Sequence, residues 1–345
     1  MLSKRPCVVE RYILRRVPDF ESFDVVHVHY EASCSIAGIR LASRFNLPLV
    51  QTMHGREDAA IAVNVPKLFR NAVAGMLDWS HGKCLPHQVR IDRSECMAPK
   101  FVRAKMWELM SNHANQADIV LAPSVHFAND LKKYQVTKPV MVLSNGIPRD
   151  LVGTGDFCRE LREGETLRMI WNSRVSKEKR ILDFLKALRS VRRPYYVEIF
   201  GGGNVLGRAK RYARKYGLNV EFFGAVRREQ LIERMREAHL CVMTSYGFDT
   251  QGMALLEAEA VGLPVFFCDP NLTETVPQGG YILANGPEAA QIAEALEKLS
   301  VRRIAEMSRV MLRHRDEVWQ EVQTRKLLEI YRRAIGWHKY DTMET

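Results

Sequence analysis

The alternation of two patterns along this chain constrains its fold more than any other feature. Short runs rich in Val, Ile and Leu repeatedly give way to stretches of helical periodicity. FDVVHVHY (23–30), LPLVQTMHG (47–55), DIVLAPS (118–124) and PVMVLSNGIP (139–148) read as strands. Helical patterns fill 33–46 and 125–134, with helix-like segments at 65–78 and 98–116. After a polar, glycine-containing stretch, 149–165, the alternation restarts with LRMIWNSR, YYVEIFGGG, VEFFGAV, HLCVMTS and PVFFCD. Helices run to Val191 and over 205–216, 228–238 and 251–261 between them, and the sequence from Pro287 onward is almost wholly helical in pattern. Strands this apolar are buried on both faces, and helices between them supply the crossovers of a parallel sheet. The expected fold class is therefore α/β, as two Rossmann-like halves with a helical C-terminal tail. The domains expected are 1–148, a linker 149–165, 166–318 and a tail 319–345. Ligands of such sheets lie beyond the carboxyl ends of the strands, so two facing sheets predict a site in the cleft between them.

Composition excludes several classes. A chain of 345 residues with 46% hydrophobic residues can bury two cores. No apolar run reaches the ~18 residues of a membrane span. The first residues, MLSKRPCVVERYILRRVPDF, carry charges where a secretory leader needs an apolar run, which predicts a cytoplasmic protein. Seven scattered cysteines without a C-x-x-C pair agree with a reducing compartment. His81, Cys84, His87 and Cys96 fit no standard zinc spacing and read as ordinary polar and core residues, so no metal is expected. The formal charge of +11 favours anionic partners, namely phosphorylated small molecules or anionic lipid. Nucleic acid is not expected, because no basic-aromatic motif accompanies the charge.

Three places in the second half carry candidate chemistry. Gly201-Gly202-Gly203 ends a strand ahead of a helix, where glycines admit a ligand phosphate or simply make a tight turn. Arg174 and Lys179 flank the start of another helix, where cations oppose the helix dipole unless they share an anion; a solvated basic turn is an equal reading on local grounds. In SYGFDTQGMALLEAEAVGLP, Asp249 stands eight positions before Glu257. Asp249 can be a helix cap and Glu257 a solvated helix position, as Glu259 is read to be; Met253, Leu256, Ala260 and Val261 form the expected apolar face. Locally these readings are balanced.

The order of the elements tips the balance. Arg174 and Lys179 in NSRVSKEK, the triple glycine, and DTQGMALLEAEAVGLPV follow successive strands in an arrangement that resembles the retaining GT-B glycosyltransferases of glycosyltransferase family 4. The resemblance implies a nucleotide-diphosphate sugar donor, UDP-sugar favoured and GDP-sugar second, with no cofactor and no metal. It implies that Arg174 and Lys179 clamp the diphosphate, Glu257 binds the ribose, and Asp249 contacts the transferred sugar where the family carries the longer Glu. Gly202, Gly203, Gln251, Gly252, Met253 and Ala254 complete the implied donor site. DVVHVH and PLVQTMHG resemble the family's acceptor-domain strands, with His54 as a histidine beside the reacting sugar.

Only about twenty residues precede FDVVHVHY, fewer than the family's first strand and Gly-rich loop require. The expectations are a reduced first domain, a truncated start, or a protein partner that completes it. The alternative function is a non-catalytic or partner-dependent glycosyltransferase-like subunit. TQG after Asp249 and MHGRED are similar to glycosyltransferases acting on diacylglycerol-type lipids, which implies a lipid or cell-envelope glycan acceptor at the inner membrane face. Segments 65–79 and 99–110 suit peripheral contact with anionic membrane, but the favoured reading of each is an ordinary helix with its apolar face buried and its cations in water.

Overall fold

The computed structural model describes residues 6–30, 33–153, 155 and 158–343, with side chains as far as 338. The chain forms two compact units. The first takes the residues up to Ser144 together with those from Arg325; the second is Asn145–Thr324.

In the first unit, α1 (Pro6–Arg16) precedes β1 (Val26–His29), α2 (Ser33–Phe45), β2 (Leu49–Thr52), α3 (Glu57–Asn64), α4 (Arg70–Gly82), α5 (Lys100–Ala114), β3 (Ile119–Ala122), α6 (Val125–Lys133) and β4 (Val140–Val142). The four strands make one parallel sheet in the order β1-β2-β3-β4. Helix α5 is nearly all core: Met106, Trp107 and Met110 are fully buried. The segment 99–110 therefore lies inside the unit, not on a lipid surface. Helix α4 differs. Leu68, just before it, is 84% exposed and Trp79 on it 61%, with Phe69 and Met76 exposed as well. Lys83 Nζ lies 3.5 Å from the centre of the Trp79 ring.

The second unit contains α7 (Arg149–Val152), β5 (Leu167–Asn172), α8 (Ile181–Leu188), β6 (Tyr195–Phe200), α9 (Leu206–Lys215), β7 (Val220–Gly224), α10 (Arg228–Glu237), β8 (Leu240–Met243), α11 (Met253–Ala260), β9 (Val265–Phe267), β10 (Tyr281–Leu283), α12 (Ala289–Glu297) and α13 (Val301–His314). Its six parallel strands run β10-β9-β8-β5-β6-β7. The described residues of the stretch 149–165, expected as a linker, pack into this unit. Val152 and Leu161 are core residues, and the buried guanidinium of Arg159 donates to the carbonyls of Met235, Ala238 and Val261. A polar sequence hid this role because the stretch is held by hydrogen bonds to carbonyls that helices and turns leave unsatisfied.

The last helix, α14 (Gln320–Met343), begins in the second unit and continues into the first. There Ile330 and Ala334 bury against Val50, Ile119 and Leu121 of β2 and β3. No helix among the described residues is long and apolar enough to cross a membrane.

Candidate active site

The strand order of the second unit decides where a ligand can sit. Strands succeed one another outward from β5 on one side and from β8 on the other, so the order reverses between these two. Crossovers leaving such a pair go to opposite faces, opening a crevice at the carboxyl ends. Arg174 and Lys179 follow β5, while Asp249 and Glu257 follow β8. The four residues singled out by the sequence thus flank one switch point.

Lys179 ends a single 3-10 turn, Lys177–Lys179, after which Arg180 takes a left-handed φ of 54° and leads into α8. The Lys179 ammonium is ion-paired with the Asp249 carboxylate, both side chains 12% exposed. Asp249 Oδ2 is shielded from solvent and accepts no hydrogen bond from the described residues. The Lys179 carbonyl accepts a hydrogen bond from Thr244 Oγ1 at 2.9 Å, which ties the loop after β5 to the end of β8. Arg174 is 65% exposed and only loosely paired with Glu178, 3.4 Å away. One cation is therefore held and one is open to solvent.

Glu257 is buried on α11. Its Oε1 accepts from Arg228 Nε at 2.9 Å and its Oε2 from Asn172 Nδ2 at 3.2 Å. Burial raises its pKa, and Arg228 followed by Asn172 counter that rise. Neither Arg228 nor Asn172 stood out in the sequence, because the topology alone brings them to the acid. Glu259 departs from expectation: it is buried, and its pKa is raised to about 8 by burial and then by Glu317. Helix α11 is enclosed from Leu255 to Ala260 and so has no solvated face there.

The other expected donor residues divide by what they touch. A Cβ on Gly203 would lie 2.3 Å from the Val175 carbonyl oxygen, and one on Gly201 2.0 Å from that of Ser173. Packing of the β6–α9 loop against the β5 loop accounts for both glycines. Gly202 has no atom within 4 Å of such a Cβ. Gln251 is buried, and its Oε1 accepts from the Asn145 main-chain and side-chain amides at 3.0 and 2.7 Å. Gly252 precedes α11 with φ 86°, and Met253 and Ala254 start the helix with Met253 exposed. Their backbone N–H groups belong to the helix N-terminus, which favours an anion.

In the first unit, His54 lies just past β2 in a group that the sequence only partly announced. His29 Nδ1 and His54 Nε2 are 2.8 Å apart with the rings stacked, and Tyr30 packs on His54. His27 bonds Tyr331 Oη and Thr52 Oγ1, each at 2.7 Å. The H-x-H spacing of β1 puts His27 and His29 on one face of the sheet, which is the signal a period-two reading offers. Burial first, then His29, lowers the His54 pKa to about 4; His27 falls to about 3. His54 is thus an uncharged imidazole at neutral pH.

His81, Cys84, His87 and Cys96 do not converge among the described residues. His81 bonds His113 at 2.7 Å, His87 lies 3.0 Å from Asp78, and Cys96 is core. Asp78, His87 and Glu108 do come together, but Lys105 sits between the two carboxylates at 3.0 and 2.6 Å and supplies the positive charge there.

Two parallel α/β units, with an anion-suited switch point in the second, define a GT-B protein. The family model described as Glycosyltransferase Family 4 matches residues 8–151, and that described as Glycosyl transferases group 1 matches 159–311. The chain is a glycosyltransferase of the GT-B fold, an enzyme built from these two domains. Among curated proteins it is similar to a D-inositol 3-phosphate glycosyltransferase of Paenarthrobacter aurescens, 25% identical over 91% of this chain and 74% of the relative. Among solved structures it resembles HepE of Anabaena in complex with UDP and glucose (TM-score 0.67, 15% identity, 93% and 81% of the chains). Sucrose-phosphate synthase of Thermosynechococcus elongatus is similar too (TM-score 0.66, 16% identity, 94% and 80%).

Proposed function

We propose that the protein transfers a sugar from a nucleoside diphosphate, UDP in the first instance, to an acceptor hydroxyl on a lipid or cell-envelope glycan, with retention at the anomeric carbon. The observation that carries this reading is the meeting of Lys179, Asp249 and Glu257 around the β5/β8 switch point. A diphosphate takes the ammonium of Lys179 and the open guanidinium of Arg174, and the N-terminus of α11 adds its N–H groups. Charge that grows on the leaving diphosphate then meets fixed donors, which lowers the barrier without a metal. Glu257 accepts from the ribose hydroxyls, and Asp249 orients the sugar once the diphosphate has drawn Lys179 from it. His54, neutral, accepts or donates a hydrogen bond on the sugar side. UDP-bound HepE supports the choice of UDP.

Exposed Leu68, Phe69, Met76 and Trp79 beside Lys67 and Lys83 support contact with an anionic membrane at α4, where the acceptor lipid is drawn from. The test is release of nucleotide from UDP- and GDP-sugars by the purified protein, with and without anionic vesicles. K179A or E257A is expected to cut turnover by roughly 100-fold or more. Undiminished turnover in both would overturn the reading.

A further inference from the structure

We propose that Arg228 is a positioning residue of the donor site, holding Glu257 as a fixed carboxylate aimed at the vicinal diol of a ribose. The inference rests on the reading of Glu257 as the ribose ligand and extends it to a residue outside the matched motifs. A diol offers two O–H donors, so its partner must accept twice; an ionised carboxylate presents two accepting oxygens, whereas protonation turns one of them into a donor. Glu257 is 7% exposed, and burial disfavours its charge. The polar groups facing it are Arg228 from α10, Asn172 from β5 and Cys241 from β8. Cys241 brings no compensation, since burial and Glu257 itself hold its thiol neutral. Asn172 gives one neutral hydrogen bond. Arg228 is the only cation among these, and its Nε bond at 2.9 Å also fixes the rotation of the carboxylate.

The contact is not fully spent within the protein. Arg228 Nη2 is shielded from solvent and has no hydrogen-bond partner among the described residues. An ion pair whose acid is buried loses hydration that a single contact barely repays, so a pair left half-used gains little for stability. Placement against the buried acid of α11 explains the arrangement better. With Arg228 removed, the lowering influence on the Glu257 pKa is lost, so the carboxylate is disfavoured most at the low end of the pH range and recovers as pH increases.

The experiment is calorimetric binding of UDP and of GDP to the full chain between pH 6.5 and 9, for wild type, R228M, R228K and E257Q. Ratios of variant to wild type cancel the titration of the diphosphate itself. R228M is expected to weaken binding roughly 10–100-fold at pH 6.5, the range for one hydrogen bond to a charged group, with the gap closing toward pH 9. R228K, which keeps the charge and is the safer variant for folding, is expected to restore most of the affinity and the wild-type pH profile. E257Q is expected to bind weakly at every pH. Weak binding by E257Q together with a pH-independent gap, or no gap, in R228M would overturn the positioning role alone. If R228M does not fold, an R228K profile that keeps the low-pH loss overturns it equally. Wild-type affinity in E257Q would overturn the ribose reading and this inference with it.

Discussion

At the residue scale, the Lys179–Asp249 pair sets two functions against each other. Lys179 and Asp249 are ion-paired; on the proposed function, in which Lys179 grips a diphosphate and Asp249 a sugar, each must be released for the other to act. Removing the charge of Asp249 frees Lys179 for the diphosphate but removes a sugar contact. We expect D249N to bind UDP several-fold more tightly than wild type while its turnover falls about 100-fold, as for the loss of one well-placed polar group. Equal losses in both would show that Asp249 supports the site only structurally. Glu259 makes a separate prediction about pH. Its pKa is about 8 in the fold against 4.5 in the ordinary state, so the folded protein binds the extra proton between those values. Stability from this group is present at low pH and lost as pH rises from 4.5 through 8. E259Q, neutral throughout, should match wild type near pH 5 and exceed it at pH 9 by on the order of a few kcal/mol, read from urea midpoints at constant slope.

At the scale of elements, the alternation of strands and helices was legible because a parallel sheet enforces continuous apolar runs. Arg174, Lys179, Asp249 and Glu257 were legible through their order along the strands. Four elements were not: α1, and the short α3, α7 and β10 of eight, four and three residues. Arg228 and Asn172 were invisible for another reason: their meaning comes from the β5–β8 adjacency and from α10 packing near it, and no local pattern encodes that. Glu259 departs from its expected solvated position because α11 is buried on every side from Leu255 to Ala260, and helical period alone marks no polar face as wet or dry. The glycine loop can now be divided by experiment. G203A should destabilise the protein, because a methyl group 2.3 Å from the Val175 carbonyl forces the β5 loop aside. G202A, with open space around it, should leave thermal stability unchanged, so any loss of UDP affinity would mark close approach of phosphate there. Helix α4 is the element that carries the proposed membrane contact. W79E should abolish sedimentation with anionic vesicles yet leave nucleotide release in solution intact, since Trp79 lies in the first unit, outside the donor site.

At the scale of the whole molecule, the C-terminal helix is what makes the first unit discontinuous in sequence. Residues from Arg325 close a sheet whose strands all lie before Ser144. Ile330 and Ala334 cover Val50, Ile119 and Leu121, and Tyr331 Oη bonds the His27 imidazole at 2.7 Å. That bond, with Thr52 on the other ring nitrogen, uses both nitrogens of a histidine whose neighbour His29 contacts His54. The end of the chain therefore completes the core of the first unit and braces its histidine group, while the residues read as the donor site all lie within Asn145–Thr324. I330D places a carboxylate among apolar side chains with no partner for it, at a cost of about 3–5 kcal/mol. The expected result is selective: an early calorimetric transition for the first unit, weakened turnover, and UDP affinity within a few-fold of wild type at temperatures below that transition. Loss of UDP binding in step with the first transition would mean that the donor residues depend on the first unit for their arrangement. Retained binding would locate recognition of the nucleotide wholly in the second unit, with the first needed for the acceptor step.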